Sequence, residues 1–201
     1  MQEMKETRIE PSQVSALIKS RRSIFPDQFV PGKKIPDEIV WQILENANWA
    51  PTHKKTEPWF FTVFTESGLQ RLARFQSETY LKSAGDKFKQ DKYEKLQRTP
   101  LLCSHVIAIG MKRHLEANIP EMEELAAVAC AVQNIYLSTL GFGLGGYWST
   151  GGVTYQEEAK SFFGLGEEDK LMGFFYLGYI QIPSPKGTRR PISEKTKWIS
   201  E

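Results

Sequence analysis

The sequence predicts an α+β domain, and three observations carry that reading. A few long segments repeat apolar residues at helical spacing. Only a few runs are aromatic or β-branched enough to be strands. Strands and helices do not alternate regularly, so the pattern is not that of a parallel βαβ sheet.

The elements follow in order. Ser12 is placed to cap a short helix through about Ser20, with Val14, Leu17 and Ile18 on one face. Pro26, Pro31 and Gly32 then break the chain into a loop. Pro36-Asp37-Glu38 opens a second helix, as proline and acids suit a first turn. Its apolar side is Ile39, Val40, Ile43, Leu44 and Ala47, and Pro51 ends it. Residues 58–65, PWFFTVFT, read as a strand. Two polar, charged helices fill 67–98, the second from about Ala84 to Arg98 and suited to act as a mobile flap. Residues 101–111 read as a central strand. Residues 121–140 form the longest helix, apolar on more than one face, as suits burial in a core or between subunits. A short helix at 155–163 and an aromatic strand at 171–182 precede a tail carrying Lys186, Arg189 and Arg190.

Residues 1–10 are polar and read as an arm, and 11–201 as one domain. A chain of 201 residues buries roughly 70% of its unfolded surface, enough for a substantial core. A net charge of +2 does not point to nucleic acid. The lysines of 82–98 are interrupted by Asp86, Asp91 and Glu94, and no reader motif is present. Cys103 and Cys130 both lie in apolar runs and have no metal-ligand spacing. They are expected to be buried free thiols in a reducing compartment, and no metal is expected. No apolar segment suggests a signal peptide or a membrane span, so a cytoplasmic protein is expected.

Three motifs bear on chemistry. Gly141, Gly143 and Gly146 formally satisfy G-x-G-x-x-G. A dinucleotide site needs a strand before that motif and a helix after it, and here the order is reversed. The glycines therefore read as a helix stop. Arg21-Arg22-Ser23 offers two guanidiniums and a hydroxyl to a phosphate, or else a solvated basic helix end. The loop from Ala50 to Trp59 offers His53 and Lys54 as donors and Trp59 as a flat wall.

The ordered set is R-R-S, then I-L-x-x-A-x-x-A-P-x-H-x-x-x-x-P-W, then an Ala-rich helix ending in glycines and G-x-W-x-x-G. Across residues 12–182 this resembles the nitroreductase family, and most closely its small single-domain members. The resemblance implies a sandwich with a mostly antiparallel sheet flanked by helices. It also implies an intertwined homodimer with two FMN sites at the interface. By similarity, Arg21, Arg22 and Ser23 contact FMN, His53 approaches its ring or ribityl chain, and Trp148, Ser149 and Thr150 line the phosphate end or ring face. Residues 140–146 approach the flavin or nicotinamide side. Small members often carry arginine where this chain has Trp49 and Ser149, and Arg189 and Arg190 are the candidates to replace those charges.

The function so implied is hydride transfer from NADH or NADPH, through FMN, to a small electron-poor acceptor such as a nitroaromatic, quinone or enone, in a ping-pong cycle. No acid–base residue is assigned as catalytic. Arg21, Arg22, His53 and Lys54 are the local sources of positive charge and N–H donors. The alternative is a non-catalytic flavin-binding or sensing protein.

Overall fold

The computed structural model describes residues 9–201. Of the expected N-terminal arm, only Ile9 and Glu10 fall within them. The first helix, α1, spans Pro11–Ser20. Its cap is Glu10 and not the expected Ser12. Pro11 suits the first helical position, and the Gln13 side chain reaches back to accept the Glu10 N–H at 3.2 Å. Helix α2 is Asp37–Asn48 and strand β1 is Trp59–Thr65. Two helices follow, α3 at Ser67–Ala84 and α4 at Gln90–Arg98. Strand β2 is His105–Met111, α5 is Glu121–Gly141, β3 is Leu144–Ser149 and β4 is Lys170–Tyr179.

The four strands form one sheet in the order β1-β2-β4-β3, with every neighbouring pair antiparallel. The α+β reading and the central place of the 101–111 run are both borne out. Every residue of β2 is buried. A strand covered on both faces reads as an unbroken apolar run for that reason. The strand begins at His105, since Pro100 opens a 3₁₀ turn at Thr99–Leu102 and the first cross-strand bond is Ser104 N–H to Leu177 O at 3.0 Å. Strand β4 likewise ends at Tyr179, and Ile180 adds a single bridge to Phe29. The predicted helix at 155–163 is a 3₁₀ segment, Glu157–Phe163.

Alternation along the strands sorts the core into two layers. Ile107, Ile109, Met111, Phe175 and Leu177 face α2 and α5. Val106, Ala108, Phe174 and Tyr176 face Leu69 and Leu72 of α3 and Phe163. Helix α5 buries Ala127, Val128, Ala131, Val132, Ile135 and Tyr136. Cys130 stands two residues from both Val128 and Val132, hence on the opposite side of the helix. It is exposed, not buried as expected, whereas Cys103 is buried. Met122 and Ala126 are exposed on α5 as well. Helix α1 has no buried residue at all, and Val14, Leu17 and Ile18 of its apolar face are exposed.

The start of α5 is fixed by a buried charge. Glu124, 0% exposed, pairs with the Arg113 guanidinium beyond the end of β2 and accepts the His114 N–H at 3.1 Å. It also lies in the first turn of α5, where a carboxylate complements the helix dipole. Glu124→Ala strands the Arg113 charge. It is expected to cost about 3–5 kcal/mol, at about 2–4 °C of Tm per kcal/mol. A thermal melt within a degree or two of wild type contradicts this.

Candidate functional site

At the far end of α5, Tyr136 points its ring under β3 and its hydroxyl toward the chain that follows α1. The hydroxyl accepts the Trp148 backbone N–H at 2.8 Å and lies 3.3 Å from Ser23 Oγ. The Arg21 guanidinium carbon sits 4.8 Å from the ring centroid, and Phe175 packs edge-on at 4.7 Å. The Ile24 N–H donates to Gly146 O at 2.9 Å, which ties this segment to β3 at the sheet edge. A buried tyrosine needs a partner for its hydroxyl. Meeting that need brings Arg21, Ser23 and Trp148 together. Trp148 is held further by its indole N–H, donated to Met172 O at 2.9 Å.

On the other side of the sheet lies a cleft of about 1050 Å³. Phe25, two residues beyond Ser23, lines it together with Tyr147, Ser149, Gly151, Gly152 and Tyr176, and residues of α4 close it. Phe25 and Tyr147 have ring centroids 4.5 Å apart, and Tyr147 and Tyr176 lie 6.3 Å apart with planes only 19° from parallel. Phe25 is tilted 48° from Tyr147 and Tyr176 is buried beneath it, so the rings form a stepped aromatic lining beside a glycine-containing turn. Burial pushes the Tyr176 phenol well above its usual range, and pushes the nearby Cys103 thiol up in the same way. Both groups therefore stay neutral beneath the cleft.

The other predicted residues lie elsewhere. His53 opens a 3₁₀ turn, His53–Lys55, after α2, and its Nδ1 meets the Glu123 carboxylate in the first turn of α5. Lys54 donates to Ala117 O at 2.7 Å. Lys54, Lys55 and Glu57 hold φ of 51°, 55° and 46°. Such left-handed, non-glycine backbone costs on the order of 1–3 kcal/mol each and tends to gather at functional sites. Tyr136 lies thirteen helical steps beyond Glu123 along α5, about 20 Å at 1.5 Å per residue. Within one chain, His53 therefore does not meet Arg21, Ser23 or Trp148. Arg22 turns away toward the C-terminal tail. Ser149 Oγ accepts the Gly151 N–H at 3.3 Å, and Thr150 is exposed. Arg189 and Arg190 are exposed on the tail.

The glycine run ends a helix and enters a strand: Gly143, at φ +65°, lies between α5 and β3. The G-x-G-x-x-G match is therefore the decoy expected. Among the described residues, no group of three or more His, Cys, Asp or Glu is placed to hold a metal. None of the described helices is long and apolar enough to cross a membrane. Sequence reasoning missed Tyr136 and Glu123 as site residues. For Glu123 the available signal was a cluster of acids opening the long helix, and for Tyr136 a hydroxyl on its apolar face.

Comparison with known proteins agrees with this architecture. The model of the nitroreductase family matches residues 18–179. YdjA of Escherichia coli strain K12, provisionally named an NAD(P)H nitroreductase, is 28% identical over 155 residues, covering 77% of this chain and 82% of YdjA. The crystal structure of a nitroreductase-like family protein from Bacillus cereus superposes with a TM-score of 0.77 at 24% identity, covering 96% of this chain and 98% of that one. A Desulfovibrio desulfuricans protein, provisionally named a nitroreductase and crystallised with FMN, gives a TM-score of 0.71 at 20% identity, covering 96% and 99%.

Tyr136→Phe keeps the ring but removes the acceptor for the Trp148 N–H. It is expected to cost about 1–3 kcal/mol, seen as a lower urea midpoint at unchanged m. An unchanged midpoint contradicts the role given to this hydroxyl.

Proposed function

The chain belongs to the nitroreductase family, and from that premise we propose that it is an FMN-dependent NAD(P)H oxidoreductase acting as a homodimer. The observation that carries the proposal is the grouping of Arg21, Ser23 and Trp148 around Tyr136, at the sheet edge that also borders the large aromatic cleft.

The residues present fit a flavin nucleotide. Phe25 and Tyr147 offer aromatic surface at the sheet edge, and the turn from Ser149 to Gly152 lets backbone approach a ligand there. The Arg21 side chain donates no hydrogen bond to the described residues, so its fork remains available to an anion held over Tyr136. Ser23 Oγ has Tyr136 on one side and offers further hydrogen-bonding capacity on the other. When bound, FMN supplies hydride chemistry, accepting from NADH or NADPH and delivering, in a ping-pong cycle, to an electron-poor acceptor such as a nitroaromatic, quinone or enone. The protein's own task is to bind, to orient and to place positive charge and N–H donors in advance.

The same geometry supports a second copy of the chain. Among the described residues the α1 face of Val14, Leu17 and Ile18 is left exposed, as are Trp41 on α2, Trp49 just after it and Met122 on α5. His53 is held by Glu123 about 20 Å along α5 from Tyr136. In the proposed dimer, His53 of a second copy approaches the Tyr136 end of the first. Each flavin site is then shared between chains.

The purified protein is expected to show a flavin absorption spectrum, or to acquire one with added FMN, and to bleach on anaerobic NAD(P)H. A colourless chain that FMN cannot reconstitute contradicts the proposal. Bound flavin that NAD(P)H does not bleach favours the binding or sensing alternative. Arg21→Ala is expected to weaken FMN by about 10- to 100-fold, the worth of charge-assisted hydrogen bonding.

A further inference from the structure

Arg21 and Arg22 are neighbours in sequence but differ in what they touch. The Arg22 guanidinium is committed to the protein. Its Nε donates to Pro185 O at 2.8 Å, and its Nη1 donates to Lys19 O at 2.7 Å and Arg21 O at 2.8 Å. These last two are carbonyls at the end of α1, which have no helical partners of their own. Gly187 lies flat against the same group, and a Cβ there would fall 2.3 Å from the guanidinium carbon. One planar fork thus clamps the end of α1 to a tail that lies more than 160 residues later in the chain.

We infer that Arg22 is a positioning residue, the latch that docks the C-terminal tail, and that it acts on anion binding through the tail. The inference rests on the FMN reading given above. At 3.3–3.6 Å per residue, Arg189 and Arg190 lie within about 11 Å of Gly187. Docking therefore keeps Lys186, Arg189 and Arg190 on a segment tethered to the end of α1, the same turn that carries Lys19 and Arg21. The chemistry such a set of charges recognises is a phosphate monoester, here the phosphate end of the nucleotide. Gly187 has a defined part as well: its missing side chain is what lets backbone lie on the guanidinium. Lysine cannot replace arginine at position 22, because an ammonium has no plane to receive that backbone and no fork to bridge two segments.

The test uses the full chain without added flavin and then with FMN. Arg22→Ala, Arg22→Lys and Gly187→Val are expected to speed tryptic cleavage after Lys186 and Arg189 severalfold. Each is expected to weaken FMN by about tenfold. Replacing Arg189 and Arg190 with alanine produces the same loss, and combining that change with Arg22→Ala produces no further loss. A purely structural Arg22 would not give that non-additivity. Gly187→Val alters only the tail side, so the test survives if Arg22→Ala folds poorly. Unchanged tail cleavage in Arg22→Lys and Gly187→Val, or additive losses of FMN affinity, overturn the inference. A wild-type chain that takes no FMN overturns the reading on which it rests.

Discussion

The hydroxyl of Tyr136 is the point on which the site depends. A phenol packed against Phe175 in the core layer must find partners or lose the hydrogen bonds it made in water. It finds the Trp148 N–H from the edge strand and the Ser23 hydroxyl from the chain beyond α1. Two segments, the edge strand and the chain beyond α1, are thereby fixed to one atom of α5. Arg21 lies over the face of the same ring, so its charge is held where that junction opens to solvent.

The rigidity of α5 then sets the scale of the molecule. Its first turn is pinned by the Arg113–Glu124 pair and carries Glu123 against His53, while its last turns carry Tyr136. A helix of this length keeps its two ends apart, so two groups of candidate residues sit at opposite ends of one rod. The exposed apolar face of α1 and the exposed Trp41 and Trp49 on and just after α2 supply the surface by which a second copy would bring opposite ends together. The proposed dimer thus follows from how far apart the residues lie as much as from the apolar surface.

The sequence disclosed the parts of the fold that rest on periodicity. Strand β2 was legible because both its faces are buried, and α5 because its apolar residues outnumber one face. The glycine decoy was legible because the order helix, glycine, strand contradicts what a dinucleotide turn requires. What it concealed depends on direction. Cys130 shares an apolar run with Val128 and Val132 but points away from them. Arg21 and Arg22 look equivalent as letters, yet one lies over an aromatic ring and the other grips a tail. Trp148, Ser149 and Thr150 are consecutive on an edge strand and its turn, so alternation sends Trp148 to the α5 side and Ser149 toward the cleft. No local pattern announces which side chain a distant tyrosine will hold.

The central claim is that Arg21 of one chain and His53 of another serve the same flavin. Subunit complementation tests it most directly: Arg21→Ala and His53→Ala chains, each deficient in FMN binding alone, are unfolded together, refolded as a mixture and titrated with FMN. The account predicts that mixed dimers recover a fraction of full-affinity sites, because one of their two sites has both residues intact. A mixture that binds no better than the two variants separately contradicts it and places both residues on the same chain's site, or His53 outside the site altogether.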